Sequence, residues 1–230
     1  MIKAIIFDMD GVIIDSEPVY DNWLKLFLEE SHVEVCDEER KSLHGLSFQE
    51  LQEIFKDWWH RSGYTNITAE VIGEKFLAVV KVLEQYNPIS YAELKDANIK
   101  ALMRDLKYDD YKIAIASASP SSHIERAMDE LGLREYVDLY VSGDMLERGK
   151  PDPEIYLHTI EALGVKPEEC IVVEDSEYGI KAAKKARLYV IAKEDKRFGF
   201  DQSLADAKVK SLTELPGRIK LQNTRSKLRK

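Results

Sequence analysis

Apolar residues along this chain follow two regimes. In the first, short and nearly unbroken runs of β-branched or aliphatic residues recur at Ala4–Phe7, Lys112–Ala116, Asp138–Val141, Ile171–Glu174 and Leu188–Ala192. Runs of this length, without polar alternation, are the pattern of parallel strands covered on both faces. Stretches with helical spacing separate the last four, at Ser122–Leu131, Glu154–Leu163 and Tyr178–Ala186, and Ile99–Leu106 leads into the second. Such alternation implies right-handed crossovers and a doubly wound, mostly parallel α/β sheet with a Rossmann-like core.

The second regime occupies residues 16–87, where no convincing strand occurs. Val19, Tyr20, Trp23, Leu24, Phe27 and Leu28 share one helical stripe. Leu51, Ile54, Phe55 and Trp58 form another, opened by Ser47 and Glu50 as a capping box, and Ile72, Phe76, Val79 and Leu83 a third behind a Thr68 cap. The expected organisation is therefore an α/β core of residues 1–15 and 88–216 with an inserted α-helical domain at 16–87. The chain should leave and re-enter the core at neighbouring points. The basic segment 217–230 is expected to be a solvated tail.

Bulk composition narrows the class without changing this picture. Hydrophobic residues at 44% and charged residues at 33% are ordinary for a globular protein, so disorder is not expected. A net charge of −9 argues against a general nucleic-acid or membrane-surface binder. Cys36 and Cys170 form no spaced pair, and no apolar stretch approaches the about 18 residues of a membrane span. The first residues run directly into a strand, with no leader pattern. A cytoplasmic protein is expected.

Ligands of open parallel sheets bind beyond the carboxyl ends of the strands, so the residues at those ends are the ones to inspect. Asp8, Asp10 and Gly11 follow the first run, and Ser117, Ala118 and Ser119 the second. Gly149-Lys150-Pro151-Asp152-Pro153 lies beyond the third, while Glu174, Asp175 and Ser176, with Gly179, end the fourth. Taken singly, each reads as a helix cap or a turn residue. Together they bring four carboxylates to one rim, where they would repel one another unless a cation compensates. An all-oxygen Mg²⁺ site is the natural partner.

These residues resemble the motifs of the haloacid-dehalogenase-like hydrolase superfamily: Phe7-Asp8-Met9-Asp10-Gly11-Val12, Ser117-Ala118-Ser119, Gly149–Pro153 and Val173-Glu174-Asp175-Ser176 with Gly179, in the family's order. The helical insertion is similar to that of the subgroup with phosphoglycolate phosphatase, sugar-phosphate phosphatases and β-phosphoglucomutase. The resemblance implies Asp8 as nucleophile, forming an aspartyl phosphate, and Asp10 as general acid and base. It further implies Mg²⁺ on Asp8, the Asp10 carbonyl, Asp175 and, through water, Glu174. Ser117, Lys150 and the backbone N–H groups of Met9 and Ala118 would cradle the phosphoryl group. Asp10 disfavours a dehalogenase, and no lysine of the insertion stands in a recognisable Schiff-base context.

Substrate choice is expected to fall to the insertion, with Ser16, Glu17, Tyr20, His44, Ser47 and Phe48 as candidates. Leu43-His44-Gly45-Leu46-Ser47-Phe48 resembles the mutase pattern, but Phe48 stands where mutases carry a phosphate-binding arginine. The expected function is therefore a monomeric Mg²⁺-dependent phosphatase for a small phosphorylated metabolite such as a sugar phosphate, with no nucleic-acid or membrane partner. A phosphosugar mutase and a non-catalytic binding relative are the alternatives. Trp58-Trp59 should contribute one core ring and one partly exposed ring. Asp96-Ala97-Asn98, where many relatives carry Pro-Gly, should alter only a helix start.

Overall fold

The computed structural model describes residues 1–41, 43, 48–197 and 199–228, and they divide into two compact units. One comprises Met1–Asp15 and Tyr91–Lys230, the other Ser16–Ser90. The first is built on six strands: β1 (Ala4–Phe7), β2 (Lys112–Ser117), β3 (Leu139–Ser142), β4 (Cys170–Glu174), β5 (Tyr189–Lys193) and β6 (Ala207–Val209). Their order is β3-β2-β1-β4-β5-β6 and every neighbouring pair is parallel. β1 occupies the middle, and all four of its residues are buried. The strand β6 escapes sequence reading because its three residues include an exposed Lys208 and make no apolar run.

The helical unit contains α1 (Glu17–Glu30), α2 (Asp37–Lys41), α3 (Phe48–Arg61) and α4 (Ala69–Tyr86). The expected stripes point inward: Trp23, Leu24, Phe27 and Leu28 of α1, Phe55 of α3 and Ile72 of α4 join one apolar cluster or are buried beside it. Thr68 caps α4, its hydroxyl accepting from Val71 N at 3.4 Å. Trp58 and Trp59 depart from expectation, since both rings are buried. Successive residues on a helix face about 100° apart, and neighbours on two sides cover both rings here. Trp59 stacks on Phe27 at 5.2 Å between centroids, and Trp58 lies against Phe55 at 5.7 Å. The capping box at Ser47 falls outside the described residues.

The sheet unit continues with α5 (Tyr91–Leu94), α6 (Ile99–Tyr108), α7 (Ser121–Leu131), α8 (Glu154–Leu163), α9 (Glu177–Lys185) and α10 (Leu215–Leu228). Tyr156, Ile160, Ile180 and Ala183 of α8 and α9 pack with Ile6, Ala114, Val172 and Val190 of the sheet. The alternate strand residues Ile5, Ile113, Ile171 and Ile191 are equally buried, so both faces are covered. The outgoing and returning chains meet: Asp15 N donates to Leu94 O at 2.7 Å, and Asp96 N to Ile13 O at 2.8 Å. Asp96 also shapes the turn before α6, its carboxylate accepting from the N of Asn98, the N-cap residue, at 2.9 Å.

The expected basic tail is helical over Leu215–Leu228. Leu215 and Ile219, four residues apart, are buried, and the charges occupy the remaining surface. Asn223 ties the helix down by accepting from Ile2 N at 2.7 Å and donating to Tyr111 OH at 3.2 Å. Among the described residues no helix is long and apolar enough to cross a membrane.

Candidate active site

The first carboxylate is presented by the end of the central strand. Asp8 N still donates to Val173 O at 2.9 Å, so its backbone belongs to the sheet ladder and its position is set by rigid neighbours. The chain then reverses in a tight turn, with Ile13 N donating to Met9 O at 2.8 Å and Gly11 N to Ile14 O at 2.7 Å. Gly11 adopts φ 75°, and a Cβ there would lie 1.9 Å from Asp175 Oδ2. Only glycine satisfies both the backbone conformation and this close approach.

Lys150 is brought to Asp8 from the loop after β3. Its Nζ donates to Asp8 Oδ1 at 2.6 Å, to Glu174 Oε1 at 2.7 Å and to Ala116 O at 3.3 Å. Glu174, fully buried at the end of β4, also accepts from Tyr156 OH at 3.1 Å. Its other oxygen takes Asp175 N, Ser176 N and Ser176 Oγ, each at 2.9 Å. Ser176 Oγ in turn accepts from Gly179 N at 3.0 Å and so caps α9. Gly179 is required for this packing, because a Cβ there would sit 1.5 Å from Glu174 Oε1.

Asp8, Glu174 and Asp175 each offer a carboxylate oxygen, all within 4.8 Å of one another, and all three residues are buried. Burial pushes Asp8 up to about 8; Lys150 opposes the rise, while the charges of Glu174 and Asp10 add to it. On Lys150 burial alone would act downward, but the Asp8 and Glu174 carboxylates hold it well above the usual lysine range. Burial also raises Tyr156, with the Glu174 charge acting in the same direction. The Lys150 ammonium pairs with two of these three carboxyl groups, those of Asp8 and Glu174. The donor set is hard oxygen gathered at one rim, so the residues fit a divalent metal such as Mg²⁺.

Asp10 is half-buried and held from the end of β2: Ser119 Oγ donates to its Oδ2 at 2.6 Å, and Ser117 Oγ at 3.4 Å. Ser117 is buried and accepts from Ser119 N at 3.0 Å, whereas Ala118 between them is exposed. The structure therefore brings Asp8, Asp10, Ser117, Lys150, Glu174 and Asp175 to one strand-end cluster. Sequence reasoning assigns no role to Ser119, although it belongs to the second strand-end motif, or to Tyr156, which reads as core on α8. Gly179 is legible there only as a motif letter.

In the helical unit, Ser16 is buried at the start of α1, with its carbonyl accepting from Val19 N and Tyr20 N. Glu17 and Tyr20 are half-buried on the first turn, and Tyr20 meets Trp23 edge-on at 5.6 Å. Phe48 is exposed at the start of α3. His44 and Ser47 lie outside the described residues.

Known proteins resemble this chain in sequence and in fold. The chain is 30% identical over 207 residues to the "Phosphorylated carbohydrates phosphatase" of Thermotoga maritima, covering 90% of this chain and 88% of that protein. It is also 30% identical over 221 residues to "Hexitol phosphatase B" of Escherichia coli K12, with 93% and 94% covered. The crystal structure of a β-phosphoglucomutase from Clostridium difficile superposes with a TM-score of 0.76 at 23% identity, covering 99% of this chain and 100% of that one, which concerns the fold alone. The sequence profile described as haloacid dehalogenase-like hydrolase matches residues 2–187, a span that includes every residue of the strand-end cluster. The chain belongs to the haloacid dehalogenase-like hydrolase family.

Proposed function

We propose that this protein is a Mg²⁺-dependent phosphatase that hydrolyses a small phosphorylated metabolite through an aspartyl phosphate on Asp8. The observation that carries the reading is the buried Asp8–Lys150–Glu174 arrangement beside Asp175. The names of the two 30%-identical relatives support a sugar phosphate or sugar-alcohol phosphate as substrate class.

In this reading Asp8 attacks phosphorus, splitting one difficult hydrolysis into two displacements. Lys150 supplies a fixed ammonium to the non-bridging oxygens and exchanges part of its contact with Asp8 for the phosphoryl group. Ser117 and the turn at Ala118 complete the cradle, since phosphoryl transfer depends on positioning and charge stabilisation. Asp10 protonates the leaving oxygen and then takes a proton from the attacking water, while Ser119 holds its carboxylate at 2.6 Å. Asp8, the Asp10 carbonyl and Asp175 would hold Mg²⁺, with Glu174 beside them. When bound, the ion neutralises charge developing on phosphoryl oxygens. Ser16, Glu17, Tyr20 and His44 are assigned to substrate recognition, and the enzyme is taken as a cytoplasmic monomer.

Phosphate release from a panel of hexose, pentose, glycerol and hexitol phosphates, with Mg²⁺ and with chelator, tests the proposal. Turnover that requires Mg²⁺ supports it; no release from any of them contradicts it. The resemblance of Leu43–Ser47 to the mutase pattern supports a second reading, a phosphosugar mutase, against which Phe48 stands in place of the arginine. Isomerisation of a hexose 1-phosphate, given catalytic bisphosphate, at a rate above phosphate release would select that reading instead.

A further inference from the structure

Beyond residue 187, where the family profile ends, the chain returns to the strand-end cluster through two residues that no motif contains. Lys193 is the last residue of β5, and its Nζ donates to Gly11 O at 3.1 Å and Val12 O at 3.0 Å. It thereby holds the turn that follows Asp10, and Asp96 lies 3.6 Å away as a balancing charge. Gln202 lies in the connection to β6 and is 5% exposed. Its amide nitrogen donates to Asp175 O at 2.6 Å and to Lys193 O at 2.9 Å. A buried amide with both hydrogens directed at two carbonyls is a specific arrangement, because losing it strands two acceptors away from water.

The two residues are linked to each other, one to the backbone of Asp175 and the other to the turn against which the Asp175 side chain packs. Gln202 holds the backbone of Asp175, and the Asp175 side chain packs against Gly11, whose carbonyl Lys193 holds. Outer partners of this kind fix the orientation of cation ligands. We propose that Lys193 and Gln202 act as one brace, positioning Asp175 and the Gly11 turn for binding a divalent cation. This rests on the Mg²⁺ reading of the site and assigns positioning roles, without contact to substrate.

The test is a calorimetric titration of metal-free protein with Mg²⁺, in the absence of substrate. Gln202→Met keeps length and shape but removes the donors, and Lys193→Met removes the ammonium. Each should weaken Mg²⁺ binding by about tenfold, with a metal-free melting temperature that shows a folded protein. Asp206→Asn is the control: Asp206 anchors the same connection by accepting from Val190 N at 2.8 Å and Lys184 Nζ at 2.6 Å, but touches neither catalytic turn. Mg²⁺ affinity in this control should remain within about twofold, below the range expected for a lost outer partner. Unchanged affinity in either folded methionine variant, or an equal loss in Asp206→Asn, overturns the brace. Should one methionine variant fail to fold, the other carries the test. Failure of the wild-type protein to bind Mg²⁺ would instead overturn the underlying metal reading.

Discussion

The two units bury opposite kinds of chemistry. The helical unit closes around Phe27, Phe55, Trp58, Trp59 and Phe76, rings at 5.2–6.3 Å from one another, and its buried guanidinium, Arg40, pairs with Asp21 and Asp37. The sheet unit instead encloses Asp8, Glu174, Asp175 and Lys150 at strand ends. Aromatic packing is tolerant: rings repack, and a lost contact costs stability without leaving a charge stranded. A buried ionic cluster is intolerant, because removing one member leaves another uncompensated. Rigid parallel strands can hold such a cluster, and Asp8 follows directly on the central strand β1.

Substitutions that act on one side of this contrast should separate the two units. The largest effect is expected from Asp8→Asn, which removes the nucleophile: turnover should fall by about a thousandfold or more, with the fold retained by circular dichroism. The same variant isolates a pH effect. Asp8 is raised in the folded protein from its ordinary 3.8 to about 8, so the folded state binds the extra proton across that window. Its contribution to stability is complete below the unfolded value and is lost as pH rises towards 8. Metal-free wild type should therefore lose melting temperature relative to Asp8→Asn as pH goes from 5 to 8, and Mg²⁺ should offset the loss. A difference that is flat with pH would refute the burial argument.

A matched pair of glycines probes packing next. Gly179→Ala places a Cβ on the buried Glu174 carboxylate and should cost about 1–3 kcal/mol in chemical denaturation, together with most of the activity. Gly73→Ala on α4 meets the half-buried Gln52 side chain, with Nε2 at 2.3 Å and Cγ at 2.7 Å, so Gln52 must take another rotamer. The gain in helix propensity offsets that adjustment, and the change should stay within about 1 kcal/mol. Ser119→Ala is smaller in activity terms than Asp8→Asn. Losing the 2.6 Å bond to Asp10 should lower kcat by about tenfold with KM little changed, as one charge-assisted hydrogen bond of about 1.5 kcal/mol would require.

Legibility in the sequence divides along the same line. Strands β1, β2, β4 and β5 are readable because their centres are buried and the runs are uninterrupted, and the edge strand β3, half-buried at Leu139 and Tyr140, by its short apolar run; β6 is not, with an exposed lysine among three residues. The carboxylates and Lys150 are readable from their places at the strand ends. Ser119 is easily undervalued because a hydroxyl near a helix start reads as a cap, and only the fold brings it to Asp10. Lys193 ends a fifth strand that carries no motif. Gln202 has no local signal, since its partners lie 9 and 27 residues away. Helix α10 is obscured by its charge, although Leu215 and Ile219 mark the buried side.

The central claim is covalent chemistry at Asp8. Rapid acid quench after mixing the protein with Mg²⁺ and a substrate labelled in its phosphoryl group, followed by peptide mapping, tests it directly. The label should appear on the peptide carrying Asp8 and be absent from the Asp8→Asn protein. Turnover without any labelled Asp8 peptide, or a label retained in the Asp8→Asn variant, would contradict the account.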